Sequence, residues 1–361
     1  MFRCKGILVF LLVLKSAVFH AQKTISNDEK RTIIERIKEL IDANYVLVDR
    51  VEGINRALDN MHNKGKYTSI TDFKTFAEVL SNDLIAISKD KHFLVQYRPE
   101  LVKARREWRK RQEERENNPQ PEKEETEEQV DINFLYGQKD NFGFEKVEIL
   151  DGNVGYVKFN FFHLLDWVKP TMDAAMHYVA NTDALIIDLR ENDGGYTSDS
   201  YLGSYFFDDQ PTLWNKSYNR TTDETTSRFT LAKIDGERYL NKPVYILVGE
   251  KTFSRAEGFA YCMKHFNKAT IVGQITPGAA HGIDFLEMND NFLIQLPVEY
   301  NIHPVTKTDW EGVGVIPHIK TQKDETLKTA HLAALEQLLQ KETYDGFKKR
   351  LVDAKTALEN K

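Results

Sequence analysis

Ser254 stands where an apolar run hands over to a helical pattern. Val244 to Val248 is short and rich in β-branched residues, which predicts a buried strand. Gly249 to Phe253 follow as a tight polar turn. Ala256, Phe259, Ala260, Met263 and Phe266 then recur at helical spacing. A hydroxyl held at such a junction has two uses. It can attack an electrophile, with the first free N–H groups of the helix aimed at the developing charge. It can also close the helix, since Ser254 and Glu257 fit the S-x-x-E capping box. The stretch by itself leaves both uses open.

The elements that must position this serine read as an α/β chain. Ala184 to Leu189 is an apolar run of the kind found in central parallel strands. It ends in Arg190-Glu-Asn-Asp-Gly194-Gly195, and a helix through Tyr201 and Phe206 follows, repeating the strand–turn–helix plan of Ser254. Further strands are predicted at Gly143 to Leu150, Val154 to Asn160, Ala269 to Gly273 and Phe292 to Leu296, with a hairpin turn at Asp151-Gly-Asn153. Helical spacing recurs at Met172 to Val179 and Leu327 to Leu339. Strands alternating with helices argue an α/β core. Ahead of it, Lys30 to Val48, Val51 to Met61 and a third stretch capped by Thr71 or Asp72 predict a small helical domain. Ser88 to Tyr97 reads as a short strand entered through Asp90 and His92. Arg98 to Gln129 is nearly all charge and reads as an exposed helix followed by a linker. The expected divisions are a leader at 1–21, a helical domain at 22–87, a strand segment at 88–97, a charged linker at 98–132, the α/β core at 133–325 and a helical segment at 326–361.

The chain has 361 residues, 41% of them hydrophobic, so it can bury a large core. Its formal charge of −6 gives no reason to expect a nucleic-acid partner. Arg3 and Lys5 precede an apolar run from Ile7 to Leu14, and Ala21 offers a cleavage point. This is the pattern of a secretory signal peptide, too short to span a bilayer. Phe19 occupies a place where a small residue is usual. Export is therefore expected, with no integral membrane segment once the leader is removed. Cys4 would leave with it, so Cys262 has no partner for a disulfide and reads as a small core residue. No H-E-x-x-H or clustered Cys/His pattern occurs, and neither a metal nor another cofactor is expected.

Four segments, in order, resemble the tail-specific (C-terminal-processing) serine proteases, most nearly the branch that includes the tricorn core protease and the interphotoreceptor retinoid-binding protein modules. They are Asp90-Lys-His92, Ala184 to Gly195, Thr252-Phe-Ser-Arg-Ala-Glu257, and Asn301 to Pro317. Thr270 to His281 is similar to the family's strand and glycine turn. The resemblance covers roughly Lys30 to Ile319 outside the charged stretch. It implies a crotonase-like α/β core with a small helical N-terminal domain, and a serine-type peptidase acting on a peptide or protein.

By that resemblance Ser254 is the nucleophile, His92 the general base and Glu311 the acid that orients it. The lysine used by the bacterial processing enzymes is absent from Pro277-Gly-Ala-Ala-His-Gly282, so a lysine dyad is not expected. His281 is a rival base and reads better as a structural histidine. The oxyanion donors are expected to be the N–H of Arg255 and one from Gly194-Gly195, with the resemblance favouring Gly195. Asp188 and Arg190 read as a structural ion pair. Asp193 stands where a small residue is common and would place charge beside the oxyanion donors. His318 replaces the family's usual Asp. The alternative is a non-catalytic module that binds an apolar ligand or peptide on the same fold. Sequence gives no oligomeric state.

Overall fold

The computed structural model describes residues 24–117 and 132–360. The leader reading at 1–21, with Cys4, and the later part of the charged linker, 118–131, lie outside the described residues. Three helices open the chain: α1 (Asn27–Asn44), α2 (Val48–Asn63) and α3 (Phe73–Ser88). Asp72 caps α3 by accepting from Thr75 N at 2.8 Å, and Lys89 ends it at a left-handed φ of 62°. Strand β1 (Leu94–Tyr97) begins only at Leu94, so Asp90 and His92 lie in the turn before it. The first half of the charged stretch is helix α4 (Pro99–Asn117). It is docked, with Val102 buried and Arg106 Nε bonded to Glu287 at 2.8 Å.

After α5 (Ile132–Lys139) come β2 (Phe144–Leu150), β3 (Val154–Phe159), α6 (Leu165–Val179), β4 (Ala184–Asp188) and α7 (Asp199–Ser204). Then follow β5 (Leu213–Asn219), β6 (Glu224–Phe229), β7 (Val244–Val248), α8 (Arg255–His265) and β8 (Thr270–Gly273). The chain continues through β9 (Gly282–Glu287), β10 (Phe292–Ile302), β11 (Ile319–Lys320), α9 (Thr326–Lys341) and α10 (Asp345–Glu359).

One sheet has the order β11-β8-β7-β4-β3-β2 and is parallel except for the β2–β3 hairpin. Every residue of β4 and β7 is buried. Alternation explains why both faces are apolar. Leu185, Ile187, Val244, Ile246 and Val248 point to a core shared with α6, α7 and α8. Ala184, Ile186, Tyr245 and Leu247 point the other way, onto α9 and α10. The result is a helix–sheet–helix sandwich, the mixed α/β fold that the sequence predicts, with the small helical region in front of it. Cys262 is a buried thiol in that core.

The second sheet is antiparallel, in the order β1-β10-β5-β6, with β9 also paired to β10. Its β1 and β10 share one apolar cluster with α1, α2 and α3, running from Ile25 to Val298. The opening helices therefore have no closed core of their own. They are packed onto β1 and onto β10, which arrives some 200 residues later, and that packing brings the β1 turn to the C-terminal edge of the parallel sheet.

Candidate active site

The Ser254 turn follows β7 at the C-terminal edge of the parallel sheet, where open α/β sheets carry their crevices. Thr252 anchors it by donating to Leu189 O at 2.7 Å and accepting from Gly249 N at 2.9 Å. Phe253 N donates to Asn192 O at 2.9 Å, tying the turn to the loop after β4. Ser254 itself has φ 50° and ψ −115°. An ordinary N-cap is extended. A non-glycine residue in such a conformation costs roughly 1–3 kcal/mol and persists only when its surroundings enforce it.

The enforcing residue is Glu257. Its carboxylate is fully buried and accepts from Ser254 N at 2.9 Å, Thr276 Oγ1 at 2.6 Å, Gly278 N at 2.7 Å and Ala279 N at 3.0 Å. Burial pushes this carboxyl up, and the four hydrogen bonds oppose that. The sequence marked Glu257 as half of a capping box. In the fold it also bolts the Ser254 turn to the glycine loop at 276–279.

The loop after β4 packs against the other side of the serine. Gly194 has φ 94°, and a Cβ there would sit 2.8 Å from Phe253 O and 2.9 Å from both Arg255 N and Ser254 Cβ. Only glycine allows that approach. Gly195, at φ 125°, would drive a Cβ to 2.3 Å from Phe162 O. Buried Asn192 sets the loop, accepting from Gly194 N at 2.9 Å and donating to Phe159 O at 3.0 Å. Among the described residues neither Arg255 N–H nor Gly195 N–H donates a hydrogen bond. Arg255 follows Ser254 directly, and Gly195 follows Gly194, the residue packed against it. Asp193, one residue before Gly194, is exposed.

His92 comes from the opposite half of the molecule. The residue is 4% exposed, and its ring lies 5.2 Å, centroid to centroid, from Phe253, the residue before Ser254. Among the described residues neither ring nitrogen has a hydrogen-bond partner, so no bond joins it to Ser254 Oγ or to Glu311. The backbone around the ring is firmly held. Asp90 Oδ1 accepts from His92 N at 3.0 Å, and Gln295 Nε2 donates to His92 O at 2.8 Å. The ring's Nδ1 is 3.6 Å from Asp90 Oδ1.

Glu311 joins this group from the loop after β10. One ligating atom from each of Asp90, His92 and Glu311 lies within 4.8 Å of the others. Glu311 Oε2 accepts from Ala280 N at 2.7 Å and is 3.7 Å from His281 Nδ1. Burial pushes the Glu311 carboxyl up to about 7, with His281 opposing and Asp90 adding to the rise. His281 is paired elsewhere, its Nδ1 at 2.5 Å from Asp90 Oδ2. Burial lowers the His281 imidazole, but the Asp90 contact outweighs it and the net shift is upward. Burial would likewise raise Asp90, yet its bonds to His281 and His92 hold it low. The fold thus brings Asp90, His92, His281 and Glu311 into one cluster. Reasoning from sequence missed the Asp90–His281 pair; the only signal was a carboxylate two residues before His92.

The remaining candidates are structural. Arg190 grips Asp188 with two bonds, at 2.9 and 2.6 Å, and Tyr156 donates to the same carboxylate at 2.7 Å. His318 pairs with Ile271 twice, its Nδ1 accepting from Ile271 N at 2.9 Å and its own N–H donating to Ile271 O at 2.8 Å. It extends the pairing of β8 and β11 by one side chain.

Comparison with known proteins adds two family matches, one that runs through the charged stretch and one beyond it. A model of peptidase family S41 matches residues 153–321. A model of the N-terminal domain of such peptidases in eukaryotic IRBP matches residues 16–135. The chloroplastic carboxyl-terminal-processing peptidase 3 of Arabidopsis thaliana is 27% identical over 169 residues, or 46% of this chain, and the match spans 31% of that relative's length. Among solved structures, a candidate peptidase from Parabacteroides merdae ATCC 43184 superposes with a TM-score of 0.52 at 17% identity, over 81% of this chain and 89% of that one, which shows a shared fold. A lipoprotein from Streptococcus agalactiae gives a TM-score of 0.48 at 13% identity, over 82% and 92% of the two chains. The two family matches between them take in His92, Gly194, Gly195, Ser254 and Glu311.

Proposed function

We propose, starting from the fact that this chain belongs to peptidase family S41, that it is an exported serine endopeptidase whose nucleophile is Ser254. Ser254 Oγ attacks the substrate carbonyl while His92 takes its proton. The resulting oxyanion is held by Arg255 N–H and Gly195 N–H. His92 then returns the proton to the departing amine, leaving an acyl-enzyme. Water, deprotonated by His92, hydrolyses that ester and restores the hydroxyl. Glu311 acts through His92, orienting the ring and stabilising its charged form.

One observation carries this reading. A buried imidazole with both nitrogens uncommitted lies against the residue before a strained serine, with two carboxylates beside it. A core histidine that served packing alone would be expected to satisfy at least one nitrogen. Catalytic hydrogen bonds are often long in the absence of substrate and tighten around it. Export rests on the leader pattern at 1–21, and no described helix is long and apolar enough to cross a membrane.

A fluorophosphonate probe tests the proposal, because it reacts only with an activated serine. Labelling is expected in the wild type and in a variant of a distant serine, and is expected to vanish in Ser254→Ala. Folded wild type that resists the probe would favour the binding module instead.

A further inference from the structure

We propose that Asp90, His92 and Glu311 form a divalent-cation site that takes Zn²⁺ and, when filled, switches off the imidazole. Geometry is the first support. The three residues present ligating atoms within 4.8 Å of one another, and His92 Nδ1 is already 3.6 Å from Asp90 Oδ1. Ligands around a tetrahedral Zn²⁺ stand about 3.4 Å apart, so the site needs to close by little more than about 1 Å.

The second support is the unpartnered ring. His92 is buried and its nitrogens hydrogen-bond to nothing among the described residues, so a metal would displace no existing bond of that side chain. The donor set also fits. One imidazole with two carboxylates is the mix that Zn²⁺ accepts, leaving a fourth position for water. Of the three, Glu311 also lines an open cavity of about 360 Å³ with Arg50, Ile87, Ser88, Lys89 and Gly312.

The consequence for the imidazole does not depend on which nitrogen binds. A cation on the nitrogen facing the serine occupies the lone pair that would accept its proton. A cation on the opposite nitrogen forces the remaining ring proton onto the serine side, where the ring can only donate. Either way the base is lost. The site itself stands on the geometry; its inhibitory effect rests on the peptidase reading above.

Calorimetry with ZnCl₂ on the tag-free chain carrying Ser254→Ala reads binding apart from hydrolysis, and Co²⁺ reports coordination through its visible absorption. One equivalent of saturable binding is expected. His92→Gln and Glu311→Gln should each weaken it by at least about tenfold while circular dichroism stays unchanged. Absence of saturable submillimolar binding, or binding indifferent to both folded variants, overturns the site. In the wild type, Zn²⁺ should slow fluorophosphonate labelling in proportion to occupancy, and a chelator should restore it. Occupancy without slowing overturns the inhibitory role. Wild type that fails to label even in chelator counts against the peptidase reading alone, and calorimetry still decides the site.

Discussion

Glu311 is a residue whose placement works against the fold. Burial moves its carboxyl from an ordinary 4.5 up to about 7. The folded chain therefore holds that proton more tightly than the unfolded chain does. The stability linked to it is complete below the ordinary value and is lost as pH rises through about 7. At pH 8.5 the folded protein carries a buried carboxylate that costs up to roughly 3 kcal/mol. Glu311→Gln keeps the shape and removes the charge. In chelator, that variant is expected to melt a few degrees above wild type at pH 8.5 and with a smaller difference at pH 5. Its fluorophosphonate labelling at pH 8.5 should fall at least about tenfold, because Gln cannot stabilise a charged His92. A gain in melting temperature together with a loss of labelling marks a group kept for chemistry. A variant that melts lower at pH 8.5 would show that the carboxylate is a structural anchor.

At the scale of elements, the turns after β4 and β7 form one unit, and glycine is what lets them touch. Gly194→Ala adds a Cβ into Phe253 O and Arg255 N and also strains a φ of 94°. Gly65→Ala, in the turn between α2 and α3, imposes a similar φ of 75° and meets only Thr68 Oγ1 at 3.3 Å. Both variants are expected to lose about 1–3 kcal/mol in urea unfolding. Only Gly194→Ala should lower labelling by a hundredfold or so, the scale of one lost oxyanion donor. Comparable labelling in the two variants would separate this loop from the chemistry. These two turns were legible in the sequence because their strands are unbroken apolar runs with glycine or a polar turn at the end. The β2–β3 hairpin was legible through Asp151-Gly-Asn153, and α3 through its Asp72 cap. Strand β6 was not, since Glu-Thr-Thr-Ser-Arg-Phe has no apolar face and stays exposed along most of its length. Of β10 only Phe292 to Leu296 could be read, because Pro297 interrupts the run and the pairing bulges between Pro297 and Glu299. The Asp90–His281 pair was illegible for another reason: 191 residues separate its partners, and only the fold joins them.

Over the whole molecule the candidate site straddles two apolar cores. Ser254 rides on the parallel sheet with α8, while His92 is carried by α3, β1 and β10. The links between them at the site are few: the ring contact of His92 with Phe253, the Asp90–His281 pair, and Lys91 Nζ to Pro277 O at 2.5 Å. Regions with separate cores open as separate cooperative units when the contacts between them are fewer than those within. Leu80 is fully buried on α3, in the cluster that the three helices share with β1 and β10. Leu80→Ala should cost roughly 2–5 kcal/mol by leaving a cavity. In native-state hydrogen exchange that loss is expected in α1, α2, α3, β1 and β10, as protection lowered by roughly thirtyfold or more. Amides of β4 and β7 should change little. Along a urea titration, fluorophosphonate labelling should then disappear with the helical region, while β7 is still protected, because Ser254 keeps its turn but loses its base. The gap between the two transitions should widen in Leu80→Ala. A single coincident transition, with β7 exchange accelerated as much as α3, would mean that the two cores fold as one and that His92 is held by the molecule as a whole.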